Sequence, residues 1–144
     1  MSRILLLLLF AGCATAPRTV VFVCEHGAAK SVVAAAEFNH LAEARHLPYR
    51  AIARGTEPQA AIAPSAANGL RADGLAVPSQ PPQKLTDADL AHAARVVAFC
   101  DVPPELAKNA RITRWDVPAV GDGYAKARDL IVSHVESLLD ELRR

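Results

Sequence analysis

Cys24 stands at the end of a run of β-branched and apolar residues, Thr19–Val23, and Lys30-Ser31 close the polar stretch that follows it. The segment Cys24-Glu25-His26-Gly27-Ala28-Ala29-Lys30-Ser31 is thus a thiol, five residues, a cation and a hydroxyl. Five residues suffice to wrap backbone N–H groups around one tetrahedral oxyanion, with the thiolate beneath it and the cation at its rim. If a helix starts at the far end of the loop, its unpaired N–H groups and its dipole favour both a bound anion and the thiolate. Gly27 can supply a positive φ where the loop turns. Ser31 can donate a hydrogen bond to the sulfur and stabilise it as a leaving group. The chemistry on offer is nucleophilic attack on an oxyanion.

Such a loop needs a strand before it and a helix after it. Thr19–Val23 reads as the strand, and Ser31–Leu47 as the helix, with Ala34, Phe38, Leu41 and Arg45 at helical spacing and Pro48 as its stop. Tyr49–Ala53 is a second strand closed by the turn-forming Arg54–Pro58. Pro64 and Gly74 bracket a helix over Ser65–Ala72, and Val77–Lys84 is a proline-rich loop. Thr86 and Asp89 form a capping-box pattern with Leu85 and Leu90 as its staple. That helix runs to about Ala94 and leads into a buried-type strand, Arg95–Phe99, ending at Cys100. Arg111–Asp116 is the last strand. Asp122 can cap a final helix whose stripe is Tyr124, Ala127, Ile131, Val135, Leu138 and Leu142.

Alternating strands and helices predict an α/β domain with a mostly parallel sheet. Sites in such sheets lie beyond the carboxyl ends of the strands, where both Cys24 and Cys100 fall. One domain fits 144 residues. With 51% hydrophobic and 22% charged residues, the composition is that of a globular chain rather than a disordered one. A formal charge of +1 and no aromatic-basic platform argue against nucleic-acid binding. No cysteine or histidine cluster has metal spacing, so no metal is expected.

The N-terminus has a different logic. Met1-Ser2-Arg3 is a short positive region, Ile4–Phe10 is continuously apolar, and Ala11-Gly12 precede Cys13. This order is that of an export signal and is shorter than the roughly 20 residues of a spanning helix. Phe10-Ala11-Gly12-Cys13 resembles a bacterial lipobox, with Phe10 where leucine is usual. The reading is a lipoprotein-type signal and tether over 1–17 and a folded domain over 18–144. Cys13 is the lipidation site, and the protein is exported to the periplasm or cell surface. The alternatives are a buried first strand or a misassigned start.

Cys24–Ser31 resembles the phosphate loop of the low molecular weight protein tyrosine phosphatases and of the related thioredoxin-coupled arsenate reductases. Three further segments are similar to the family in the same order. They are Ala53–Pro58, a small-residue Gly-Thr turn; Val96–Cys100, a strand ending in cysteine as in the reductase branch; and Trp115-Asp116-Val117-Pro118 before a closing helix. Together they span essentially Thr19–Arg144. The resemblance implies a flavodoxin-like, four-stranded parallel sheet in the order 2-1-3-4 with helices on both faces, and no metal or organic cofactor. It implies Cys24 as nucleophile, Ser31 as thiolate stabiliser, and the amides of Glu25, His26, Gly27, Ala28, Ala29 and Lys30 as the phosphate cradle.

Two positions depart from the pattern. Lys30 replaces the family's arginine, exchanging a bidentate fork for a rotating point charge. The family's acid register falls near Ala119-Val120, which leaves Asp116 and Asp122 as the nearest carboxylates and Asp116 as the candidate acid. Cys100 matches the strand end from which reductases draw a second thiol, in reach of a disulfide with Cys24, although no further cysteine follows. The expected activity is hydrolysis of a phosphorylated substrate through a cysteinyl-phosphate. The alternatives are an arsenate-reductase-like thiol oxidoreductase and a degenerate protein that binds a small oxyanion without turnover. Trp115, His40, His46, His92 and His134 read as structural, and Glu25 and His26 as solvent-facing.

Overall fold

The computed structural model describes residue 12 and residues 14–108 and 110–144. The apolar run Ile4–Phe10 and Cys13, the residue expected from the sequence to carry a lipid, lie outside them.

Four strands, β1 (Arg18–Cys24), β2 (Tyr49–Gly55), β3 (Arg95–Ala98) and β4 (Ile112–Arg114), form one sheet in the order β2-β1-β3-β4. All three pairings are parallel. Each therefore needs a crossover, supplied by α1 (Lys30–Ala44), α2 (Pro64–Ala72), α3 (Asp87–His92) and α4 (Pro104–Ala107); α5 (Tyr124–Leu142) closes the chain. This is the flavodoxin-like order expected from the resemblance.

Strand β1 is central because it is apolar on both faces: Val20 through Val23 are fully buried. Val20, Phe22 and Cys24 face a core shared with α1 and α5, where Phe22 meets Phe38, Phe99 and Trp115 at centroid distances of 5.9, 6.4 and 5.5 Å. Val21 and Val23 face the opposite layer, with Leu85, Leu90, Val96 and Ala98. The capping box of Thr86 and Asp89 forms as the sequence predicts. Asp89 also receives a two-pronged bond from Arg54, at 2.9 and 3.3 Å, which ties α3 to the end of β2. The outer edge of β2 is covered in part by Asn39, whose side-chain amide bonds both the N–H and the C=O of Ala51.

Three expectations are corrected. The first helix stops at Ala44 rather than Leu47, because His46 takes a left-handed conformation (φ 53°). The N–H groups of His46 and Leu47 then turn back to the carbonyls of Glu43 and Ala42 and close a Schellman motif. Asp122 does not cap α5. It ends a 3-10 turn, Val120–Asp122, and Gly123 occupies the cap position with no side-chain bond. The last strand is only Ile112–Arg114, although Trp115 N–H still donates to Ala98. Among the described residues no helix is long and apolar enough to cross a membrane.

Candidate active site

Strand β1 delivers Cys24 to the carboxyl edge of the sheet, paired with Gly55 of β2. The loop to Lys30 is held from outside. The carbonyls of Cys24, Glu25, His26 and Ala28 accept from the N–H groups of Thr56, Glu57, Gln59 and Ala63 at 3.2, 2.7, 3.0 and 2.9 Å. In a trans peptide the C=O and the following N–H point in opposite directions. The N–H groups of Glu25, His26, Gly27 and Ala29 are therefore directed away from that outer wall, into the loop. Among the described residues, no N–H from Glu25 to Ala29 donates to a backbone carbonyl. Those of Lys30 and Ser31 lie in the first turn of α1, where a helix offers no acceptor. The result is a concave set of free donors at a helix N-terminus, the arrangement that binds anions.

Cys24 lies at the base of this cradle, 8% exposed. Its Sγ is 3.0 Å from the Oγ of fully buried Ser31, and the two are hydrogen-bonded. Gly27 has φ 61° and packs backbone to backbone against Gly55. Lys30, the first residue of α1, is half-buried, and among the described residues no carboxylate lies within ion-pair distance of it. Glu25 and His26 point to solvent, as the sequence suggests, with His26 Nδ1 3.3 Å from the carbonyl of Glu57.

Asp116 is exposed between buried Trp115 and Val117, beyond the carboxyl end of β4 and two strands from Cys24. Among the described residues its carboxylate makes no hydrogen bond or ion pair with the loop. Asp122 is also exposed.

Cys100 follows β3, but the pleat sends it to the face opposite Cys24. Cys24 belongs to the layer under α1 and α5, whereas Cys100 packs against the layer of Val21, Val23 and Ala98. Both thiols are free. Burial, and secondarily the neighbouring Cys24, push the Cys100 thiol above its usual range, which opposes its use as a nucleophile.

Sequence reasoning missed the wall of the loop. Arg54–Pro58 was legible as a turn, but the donation of the Thr56–Ala63 amides to the loop carbonyls depends on how β2 is paired. Trp115 is core, as expected, and His134 stacks on it at 4.9 Å. Among the described residues no His, Cys, Asp or Glu group could hold a metal.

The model of the low molecular weight phosphotyrosine protein phosphatases matches residues 19–114 of the chain. The chain belongs to this family. Solved structures agree with the phosphatase fold. YfkJ from Bacillus subtilis superposes with a TM-score of 0.79 at 21% identity, covering 90% of this chain and 97% of that one. An arsenate reductase from Archaeoglobus fulgidus gives 0.70 at 27% identity over 84% and 98%. A low molecular weight protein tyrosine phosphatase from T. tengcongensis gives 0.74 at 19% over 85% and 98%. No curated protein sequence matches the chain. Family membership supports phosphatase-like or arsenate-reductase-like chemistry, with phosphatase the leading activity.

Proposed function

We propose that the protein is a phosphoric monoester hydrolase working through a cysteinyl-phosphate. The Cys24 thiolate attacks phosphorus, the bond to the leaving oxygen breaks, and Asp116 protonates the departing group. Water then attacks phosphorus, giving its proton to the Asp116 carboxylate as the P–S bond breaks, which releases inorganic phosphate and restores the thiolate. The amides of Glu25–Lys30 and the Lys30 ammonium stabilise the charge on the equatorial oxygens. Ser31 stabilises the sulfur when it leaves. One observation carries this reading: the carbonyls of Cys24, Glu25, His26 and Ala28 are engaged outward, so the amides that follow them are free above a thiol hydrogen-bonded to Ser31.

The lysine supports a second reading, an oxyanion-binding member with little turnover. A lysine cannot reproduce the fork of an arginine, and the loss of one well-aimed contact costs about 10²–10³ in rate. The reductase reading is weaker, since Cys24 and Cys100 face opposite layers.

One assay separates the three. The purified protein is given an aryl phosphate, with Cys24→Ser, Lys30→Arg and Asp116→Asn beside it. Hydrolysis lost in Cys24→Ser and reduced in Asp116→Asn supports the hydrolase. Phosphate binding with hydrolysis only in Lys30→Arg supports the binding protein. Thiol-dependent arsenate reduction without hydrolysis supports the reductase. Export with lipid attachment at Cys13 is part of the same proposal. Mass spectrometry of the protein from membranes, beside Cys13→Ser, tests it; an unmodified Cys13 rejects it.

A further inference from the structure

Glu37, in the middle of α1, is 6% exposed and is the one charged side chain among the described residues to be that deeply buried. Among the described residues it has no hydrogen bond and no ion pair within 4 Å. Yet no side-chain oxygen in the described structure is sealed off without a partner, so this carboxylate opens to space. It opens into a cleft of about 350 Å³ between α1, the end of α2 and α5.

The cleft is rich in acid. Arg128 is its strong cation, and its guanidinium is already committed to Asp73 at 2.7 Å and to Asp129 at 2.8 Å. Asp73 also accepts from the Tyr124 hydroxyl at 2.7 Å. Three carboxylates thus face one guanidinium and His40, and Glu37 is the carboxylate left over. A buried carboxylate without a partner is costly, so the site favours a proton or a cation there. A metal does not fit, because no group of His, Cys, Asp and Glu among the described residues could hold one. Leu75 and Val132 line the same cleft and offer apolar walls on which methylenes can lie beside a charged head.

We infer that this cleft, between Glu37 and the Leu75–Val132 walls, is a binding site for a small aliphatic amine. The ammonium donates to Glu37 and to the open lone pairs of Asp129, and the alkyl stem lies against Leu75 and Val132. The site is separate from the Cys24 loop and does not depend on its activity.

Titration calorimetry with 1,5-diaminopentane tests this, with tetramethylammonium as a cation that has no N–H donors. Saturable binding of the diamine and none of tetramethylammonium is expected. Glu37→Gln is expected to weaken diamine binding at least tenfold. His40→Lys, which places an ammonium one helical turn from Glu37, is expected to compete with it and do the same. Melting curves of both variants establish that they fold, and if Glu37→Gln does not, His40→Lys gives the answer. Diamine binding that survives in the folded variant, equal binding of tetramethylammonium, or no saturation by about 10 mM (a Kd worth under ~3 kcal/mol) overturns the inference.

Discussion

The amide nitrogen of Gly55 lies 2.8 Å from the point where a Cβ on Gly27 would stand, and the reverse distance, from a Cβ on Gly55 to the nitrogen of Gly27, is also 2.8 Å. The end of β2 and the Cys24–Lys30 loop meet through bare backbone. Neither can carry a side chain without moving the other, and the loop's donors are aimed by that contact.

Gly55→Ala places its methyl against the Gly27 nitrogen, the His26 carbonyl carbon and the Glu25 oxygen. These are backbone atoms that cannot rotate aside. The expected cost is about 1–3 kcal/mol of stability, with at least a tenfold loss of phosphate affinity as the loop shifts. Thermal melts with and without phosphate measure both, and an unchanged phosphate-induced shift in Tm would contradict this account.

Ser31→Ala removes the hydroxyl 3.0 Å from the Cys24 sulfur. A hydrogen bond to a charged partner is worth about 1.5–3 kcal/mol, so turnover of an aryl phosphate should fall about 10- to 100-fold. Burst kinetics should show the second step, release of phosphate from sulfur, affected as well as the first. Wild-type rates in this variant would reduce Ser31 to a packing residue.

Gly69→Ala sets two effects against each other. Alanine is favoured in a helix interior by about 1 kcal/mol. The added methyl, however, would stand 2.2 Å from ring atoms of Tyr124, and overpacking of this kind costs about 1–3 kcal/mol. Moving the ring also breaks the Tyr124–Asp73 bond. The variant should therefore melt below the wild type, and a rise in Tm would mean that the ring swings aside freely.

His46→Gly should act in the opposite direction. The left-handed conformation costs a residue with a Cβ about 1–2 kcal/mol, and glycine at this helix end avoids it. Part of the gain is lost to the freer unfolded chain. A net stabilisation of about 0.5–1 kcal/mol by urea unfolding is expected, with activity unchanged.

Glu37 makes stability depend on pH. Burial first, then Asp73, raise its carboxyl above the usual range, against the lowering effects of Arg128 and His40; Asp129 adds to the rise. A raised folded-state value means that the native state holds the proton more tightly. The resulting stability is complete below the unfolded value, near 4.5, and is lost as pH climbs through the folded one. Glu37→Gln should therefore be the more stable protein at pH 8, with its advantage shrinking as pH falls towards 4.5. Paired melts across that range check the sign, and a constant difference would mean that Glu37 titrates normally.

The sequence alone carried the order of the four strands, of every α-helix but the short α4, and the loop, because those rest on local physics. The apolar run into Cys24, the capping box at Thr86 and the stripe Ala127–Ile131–Val135–Leu138 each announce themselves within one element. Helix ends were less legible. Only the backbone shows His46 accepting a conformation that glycine usually fills, and Asp122 drawn into a 3-10 turn. What required the tertiary structure was everything set by pairing between distant segments. The parallel register of β1 and β2 brings Gly55 onto Gly27 and turns the Thr56–Ala63 amides onto the loop carbonyls, which frees the loop amides for an anion. Cys24 ends β1 in the layer under α1 and α5, whereas Cys100, two residues beyond β3, packs on the opposite layer, although in sequence both follow an apolar run. Packing of α1 on α2 and α5 buries Glu37, which in sequence is one more polar residue on a helix. Residue types and spacing specify which groups are present; which way each one points depends on the neighbour it packs against.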